Sequence, residues 1–124
     1  MQSILIIDDD ANIQQVFKRL LERNYFTVYQ ATNVREALVY MNMHRIDCVL
    51  LDIKMPGGCG DEFFHTIRHA HPKTCVIVSS VYPIEDQKRV IPGADDYFDK
   101  SDGIKVLLHK VQYSALMRKN TEQG

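Results

Sequence analysis

The chain has 124 residues, with 15 lysines or arginines against 16 aspartates or glutamates, so its formal net charge is −1. Hydrophobic residues make up 45% and charged residues 25%, which excludes wholesale disorder. The near-zero charge argues against nonspecific nucleic-acid binding, and no apolar run approaches the roughly 18 residues of a membrane span.

The length predicts one domain with its own core, which we place at residues 1–118. Residues 119–124 are expected to form a tail or the start of a removed linker. The N-terminus lacks the basic flank and apolar stretch of a signal peptide, and the three cysteines form no C-x-x-C motif. A reduced, cytoplasmic compartment is therefore expected.

Apolar runs alternate with stretches of helical periodicity in the first half of the chain. Residues 4–7 form an unbroken apolar run, as in a strand buried on both faces. Residues 26–29 predict a second, more polar strand at a sheet edge, and Asn33 with Glu36 resembles a capping box that begins a second helix. The first helix, between these strands, is marked by apolar residues at helical spacing: Ile13, Val16, Phe17, Leu20 and Leu21.

The second half of the chain continues the alternation. Residues 48–51 and 75–78 predict the third and fourth strands, separated by a helix that carries Phe63, Phe64 and Ile67. A short helix at most follows between residues 84 and 91, because Pro92-Gly93 stops it. Residues 97–98 predict a short fifth strand. The last helix carries Ile104, Leu107, Leu108, Val111 and Ala115.

Five successive βα units predict a doubly wound α/β fold. Strands separated by helices pair in parallel through right-handed crossovers, and helices cover both faces of the resulting sheet. In such sheets, ligands bind beyond the carboxyl ends of the strands.

Polar side chains follow four of the predicted strands at this edge. Residues 8–10 are all aspartate, Asp52 ends the third strand, residues 79–80 are both serine, and Lys100 follows the fifth strand. An acid at a strand end can cap the next helix, and Asp10 fits that role. Capping does not explain adjacent acids that face another acid.

Clustered carboxylates repel each other, by about 4 kcal/mol for charges about 4 Å apart at an effective dielectric constant near 20. Such a cluster therefore predicts a bound cation, and carboxylate ligands suit Mg²⁺. A carboxylate beside Mg²⁺ and Lys100 can attack a phosphoryl group, while the metal and the lysine offset charge on the phosphoryl oxygens. A serine hydroxyl can hydrogen-bond the bound group. These residues predict phosphorylation of an aspartate.

Four segments also resemble the receiver domains of bacterial two-component response regulators, the CheY-like superfamily. They are residues 4–10 (ILIIDDD), 50–57 (LLDIKMPG, with Gly60), 76–80 (VIVSS) and 93–100 (GADDYFDK). Each segment is a weak signal alone, but together and in order they are strong. The resemblance covers nearly the whole chain. It implies a flavodoxin-like (βα)5 sandwich with a five-stranded parallel sheet in the order 2-1-3-4-5.

The resemblance implies roles for the acidic residues. Asp52 matches the phosphoacceptor, and Asp8 and Asp9 match the acidic pair that holds Mg²⁺, with Asp9 expected to be the direct ligand of the two. Asp52 and the backbone carbonyl of Lys54 complete the implied protein ligands.

The resemblance also implies a switch. Ser80 matches the switch hydroxyl, with Ser79 as its alternative, Tyr97 matches the switch aromatic, and Lys100 matches the family lysine. Phosphorylation is expected to draw Ser80 toward the phosphoryl group, with Tyr97 following. In this family, the side chains two residues after the phosphoacceptor and after the switch hydroxyl flank the path of the hydrolytic water. The resemblance thus implies that Lys54 and Tyr82 protect the aspartyl phosphate.

The chain departs from the family pattern at two places. Ser101 follows Lys100 where the family usually has proline. The stretch between Ser80 and Gly93 is about two residues short of the family pattern. The fourth helix is therefore expected to be abbreviated, and the output surface altered.

The receiver interpretation makes the chain a phosphorylation switch and not a metabolic enzyme. Its expected partners are a sensor histidine kinase or phosphotransfer protein and an unidentified output protein or removed output domain. Direct nucleic-acid and membrane binding are not expected, and a phosphorylation-dependent homodimer is left open. The alternative is a Mg²⁺-dependent haloacid-dehalogenase-like phosphatase, which also uses a strand-end aspartate. That alternative leaves Asp52 and residues 55–57 unexplained.

Overall fold

Strands and helices alternate along the chain in the computed structural model, which describes residues 2–53 and 60–123, with side chains described as far as Met117. The strands are β1 (Ser3–Ile7), β2 (Thr27–Ala31), β3 (Cys48–Leu51), β4 (Cys75–Ser80) and β5 (Asp96–Asp99). The helices are α1 (Ala11–Arg23), α2 (Val34–Met43), α3 (Gly60–Ala70), α4 (Ile84–Val90) and α5 (Ile104–Gln123). A short 3₁₀ turn, Lys100–Asp102, joins β5 to α5.

The five strands form one parallel sheet in the order β2-β1-β3-β4-β5, which confirms the predicted fold. Strands β1, β3 and β4 are buried along their whole length, because helices cover both faces of the sheet. Strand β2 lies at an edge and is mostly half-buried, which agrees with its more polar sequence.

Two apolar layers separate the helices from the sheet. One layer packs residues of α2 and α3, such as Ala37 and Ile67, against Val76 and Val78 of β4, and includes Tyr97. The other packs residues of α1 and α5, such as Phe17 and Leu107, against Ile77. Alternate residues of β4 therefore face different layers, as strand geometry requires.

Helix starts follow the predicted capping residues. The Asp10 carboxylate accepts hydrogen bonds from the backbone N–H groups of Asn12 (2.9 Å) and Ile13 (3.2 Å), which confirms its role as the cap of α1. Asn33 caps α2 by accepting from Glu36 N (2.9 Å). Glu36 reaches back one residue further than in a standard capping box and accepts from Thr32 N (2.9 Å). The hydroxyl and N–H of Thr32 lower the pKa of Glu36.

Several expectations about boundaries and burial need correction. Val16 is 46% exposed and Ile104 is 43% exposed, whereas Gln14 is only 5% exposed and takes an inward position on α1. Strand β2 runs to Ala31, beyond its predicted end, because Ile7 of β1 pairs with Ala31. Helix α4 has seven residues, so the abbreviated helix is confirmed.

Helix α5 continues to Gln123, through most of the segment predicted as a tail. Whether that segment belongs to the domain stays a prediction. Among the described residues, no helix combines the length and apolar character needed to cross a membrane.

Carboxylates at the amino edge of the sheet complete the strand ladders. Asp47 Oδ2 accepts from Ser3 N (2.9 Å), and its Oδ1 lies 3.4 Å from Nε of Arg45. Asp95 Oδ2 accepts from Val76 N (2.7 Å) and from Nη2 of Arg68 (2.7 Å). These acids accept hydrogen bonds from backbone N–H groups near the amino ends of β1 and β4.

Candidate metal centre

Strand β1 delivers its carboxylates to the opposite, carboxyl edge of the sheet. Asp8 is 2% exposed, and its backbone N–H donates to the Ala31 carbonyl (3.1 Å), which extends the β1–β2 ladder by one residue. Asp8 Oδ1 accepts from Asp10 N (2.9 Å), which bends the chain toward α1. The side chain of Asp9 is exposed.

Asp52 stands next to these acids because β3 is the neighbour of β1. Its backbone N–H donates to the Ile7 carbonyl (3.0 Å), and the residue is 5% exposed. Asp8, Asp9 and Asp52 each place a carboxylate oxygen within 4.8 Å of the others. The predicted convergence of acids is therefore found, with three oxygen donors suited to a hard divalent cation. Asp10 is engaged in its cap instead.

Lys100 supplies a positive charge inside this cluster. Its Nζ lies 2.6 Å from Asp8 Oδ2 and 3.4 Å from Asp52 Oδ2, and these three side chains are only 9%, 3% and 7% exposed. With Asp9 included, one ammonium and three carboxylates leave a net charge of 1 − 3 = −2. That charge matches a divalent cation. It also supplies the reason for one to bind, since clustered carboxylates repel each other at this separation.

A cavity of about 230 Å³ opens over these groups, and Asp10, Ile13 and Val81 also line it. A larger cavity of about 630 Å³ lies at the amino edge, between the loops that precede β3 and β4. Its described lining includes His44, Arg45 and Lys73 but no carboxylate. Chemistry, not volume, therefore identifies the smaller cavity as the candidate site.

The two serines that end β4 differ in their surroundings. By strand alternation, Ser80 faces the same side as Val78 and therefore the apolar layer of Tyr97. Ser80 is fully buried, and its Oγ accepts from Tyr82 N (3.3 Å). Ser79 faces the other side, and its Oγ has no hydrogen-bond partner within the described part of the chain. The shared side favours Ser80 as the hydroxyl coupled to Tyr97.

Tyr97 lies inward and is 7% exposed. Its hydroxyl donates to the Ile91 carbonyl (2.5 Å) and accepts from Ala94 N (3.2 Å), while Lys88 Nζ lies 5.9 Å from the ring centroid. The Tyr97 hydroxyl therefore links two points of the chain between α4 and β5.

Ser101 contributes to the turn that follows Lys100. Its N–H and Oγ donate to Asp99 Oδ1 at 2.9 Å and 2.7 Å. These bonds, with the hydroxyl contributing most, lower the pKa of Asp99. A proline at this position lacks the N–H, so the departure from the family pattern adds a hydrogen bond to this turn.

Two buried glutamines near the site were not predicted. Gln14 Nε2 donates to the carbonyls of Ala31 (2.7 Å), Asp8 (2.9 Å) and Ile6 (3.3 Å), so it holds the ends of β1 and β2 together. Gln87 of α4 is fully buried. For Gln14, the helical spacing could have indicated an inward position, because this residue precedes the buried Phe17 by three positions. The predicted carbonyl ligand of Lys54 lies outside the described residues.

The sequence matches the family model of the response regulator receiver domain over residues 4–112. It is 25% identical over 113 residues to the heme response regulator HssR of Staphylococcus saprophyticus. This match covers 90% of the present chain and 50% of HssR. It is 33% identical over 99 residues to the cell cycle response regulator CtrA of Brucella ovis. This match covers 78% of the present chain and 43% of CtrA. The chain thus spans about half the length of these relatives or less.

Solved structures show the same likeness. The response regulator TrrA of Thermotoga maritima, in complex with Mg²⁺-BeF, has a TM-score of 0.83 and 32% identity, covering 92% of this chain and 99% of TrrA. A CheY-like receiver domain protein of Methanospirillum hungatei has a TM-score of 0.90 and 26% identity, covering 98% of both chains.

Proposed function

The chain belongs to the response regulator receiver domain family, and from this membership we propose that Asp52 is the residue that accepts the phosphoryl group. Two-component, phosphorylation-dependent signalling is the function of this family, and the phosphatase alternative is not favoured. The observation that supports Asp52 most directly is its place beside Asp8, Asp9 and the Lys100 ammonium at the carboxyl edge of the sheet.

The donor set fits Mg²⁺, with Asp8, Asp9, Asp52 and the Lys54 carbonyl as the proposed protein ligands. When bound, the metal supplies charge neutralisation on the phosphoryl oxygens. That proposal agrees with the Mg²⁺-BeF complex formed by TrrA.

The chain's own residues perform the transfer in one displacement. An Asp52 carboxylate oxygen forms a bond to phosphorus as the bond from phosphorus to the donor's phosphohistidine nitrogen breaks, and the electron pair of that bond stays with the imidazole. Asp52 needs no general base because it attacks as a carboxylate. The Lys100 ammonium, already 3.4 Å from Asp52 Oδ2, offsets negative charge at the phosphoryl group.

The proposed partners are a sensor histidine kinase or phosphotransfer protein as donor and an output protein or domain as receiver of the signal. Ser80 is the proposed hydroxyl that bonds the phosphoryl group, and Tyr97 the aromatic that responds to it. Their shared position on one side of β4 and β5 supports this coupling.

Phosphorylation of the Asp52→Asn variant tests the acceptor. Acetyl phosphate and Mg²⁺ are expected to add one phosphoryl group to the wild-type chain and none to the variant, as measured by intact mass. Asp61→Asn, an exposed aspartate on α3, is the matched control and should behave as wild type. Undiminished phosphorylation of Asp52→Asn contradicts the assignment. Sustained turnover of p-nitrophenyl phosphate by the wild-type chain would instead support the phosphatase.

A further inference from the structure

Helix α4 is attached to the sheet in an unusual way. Of its seven residues, only Gln87 is buried, and that residue is 0% exposed. Ile84 packs partly against the core, while residues 88–90 face solvent. An amide therefore occupies the inward position that an apolar side chain usually fills on an amphipathic helix.

The amide of Gln87 joins three parts of the chain. Its Nε2 donates to the Tyr82 carbonyl (2.7 Å) in the loop that precedes α4 and to the Phe98 carbonyl (2.9 Å) in β5. Both partners are carbonyls, which only accept hydrogen bonds, so the NH₂ group must face them. Its Oε1 is buried and has no hydrogen-bond partner within the described residues.

These bonds continue to the proposed switch hydroxyl. Ser80 Oγ accepts from Tyr82 N, the Tyr82 carbonyl accepts from Gln87, and Gln87 also donates to Phe98, two residues before Lys100. We propose that Gln87 is a positioning residue that couples movement of the Ser80–Tyr82 segment to the position of α4. This inference rests on the proposed function, because it takes Ser80 as the hydroxyl that turns to the phosphoryl group.

The physical basis is that the hydrogen bonds of Gln87, which hold α4 to the sheet, are directional. An apolar contact allows a helix to slide over its neighbours, whereas a hydrogen bond weakens steeply once its angle falls below about 120°. When Ser80 Oγ turns to the phosphoryl group, it no longer accepts from Tyr82 N, and the backbone of the Ser80–Tyr82 segment changes its path. The Tyr82 carbonyl, which belongs to the next peptide unit, moves with that segment relative to Gln87 Nε2. Helix α4 is expected to follow, because Gln87 Nε2 otherwise gives up one of its two buried hydrogen bonds.

Backbone NMR of the Gln87→Met variant tests the coupling. Methionine keeps the length and the unbranched shape but removes both donors. Mg²⁺ with beryllofluoride serves as the phosphoryl analogue, and amide shift changes are compared at Asp9 and Lys100 and at Val90 and Ile91. The variant is expected to respond at the site as wild type does, with the response at Val90 and Ile91 reduced at least threefold. Gln15→Met, an exposed glutamine on α1, is the control and should keep both responses.

The outcomes separate the two proposals. A full response of α4 in Gln87→Met overturns the coupling role. A wild-type chain with no response at Asp9 and Lys100 overturns the proposed function itself. Should Gln87→Met fail to fold, the side-chain NH₂ resonances of wild-type Gln87 give the answer. They are expected to shift on beryllofluoride addition, and unchanged resonances overturn the coupling.

Discussion

Replacing Lys100 by methionine is expected to destabilise the metal-free protein strongly. At an effective dielectric constant of about 20, the distances of 2.6 Å and 3.4 Å from Nζ to Asp8 and Asp52 correspond to attractions of about 6 and 5 kcal/mol. Desolvation of the buried ammonium offsets much of this. Breaking a buried ion pair nevertheless costs about 3–5 kcal/mol, because the carboxylates are left uncompensated. We expect a loss near 3 kcal/mol, since the cavity admits water to them.

Urea unfolding at neutral pH measures this loss, in chelator and in saturating Mg²⁺. The metal is expected to stabilise Lys100→Met more than wild type, because a divalent cation replaces the missing charge. The control is Lys110→Met, which removes a more exposed pair with Asp96 at 3.1 Å. That control should cost at most about 1 kcal/mol and show no extra effect of Mg²⁺. Equal stability of the two variants in chelator would refute the reasoning.

Three further predictions concern the residues around the site. Asp9→Asn should weaken Mg²⁺ binding in an NMR titration more than Asp10→Asn does, because Asp10 is engaged as a helix cap; equal losses contradict this. Tyr82→Ala should shorten the life of the aspartyl phosphate, followed after donor removal, because Tyr82 directly follows Val81, which lines the site cavity, and its large side chain can shield the phosphoryl group from water; unchanged decay contradicts it. Ser101→Ala should raise the pKa of Asp99 toward its ordinary value in an NMR pH titration. Because the pKa of Asp99 is lowered in the folded state, ionised Asp99 stabilises the fold at neutral pH, and this stabilisation is lost as the pH falls through the folded-state pKa. The stabilisation is expected to be smaller in Ser101→Ala.

The sequence predicted those features that depend on local pattern. Buried parallel strands appear as unbroken apolar runs, so β3 was placed at residues 48–51 as found. Carboxyl ends of parallel strands meet at one edge, so the convergence of Asp8 with Asp52 followed from topology alone. Asp10 was separable from its neighbours because a helix begins directly after it.

Features that depend on distant partners were not predictable. Hydropathy assigns glutamine to solvent, and nothing local shows that Gln14 and Gln87 meet backbone carbonyls of two other segments. The closer approach of Lys100 to Asp8 than to Asp52 depends on the turn after β5. The end of β2 is set by its neighbour, since Ala31 pairs with Ile7.

The acids at the amino edge of the sheet have a consequence for where divalent ions bind. Both oxygens of Asp47 are engaged, one by Ser3 N and the other by Arg45, and Asp95 is engaged by Val76 N and Arg68. A cation that binds Asp47 Oδ2 or Asp95 Oδ2 must displace the backbone N–H of Ser3 or Val76 and so weaken the amino end of β1 or β4. These two acids are therefore expected to bind divalent ions less readily than the acids at the carboxyl edge. The place of metal binding depends on which carboxylate oxygens already accept hydrogen bonds, as well as on where carboxylates cluster.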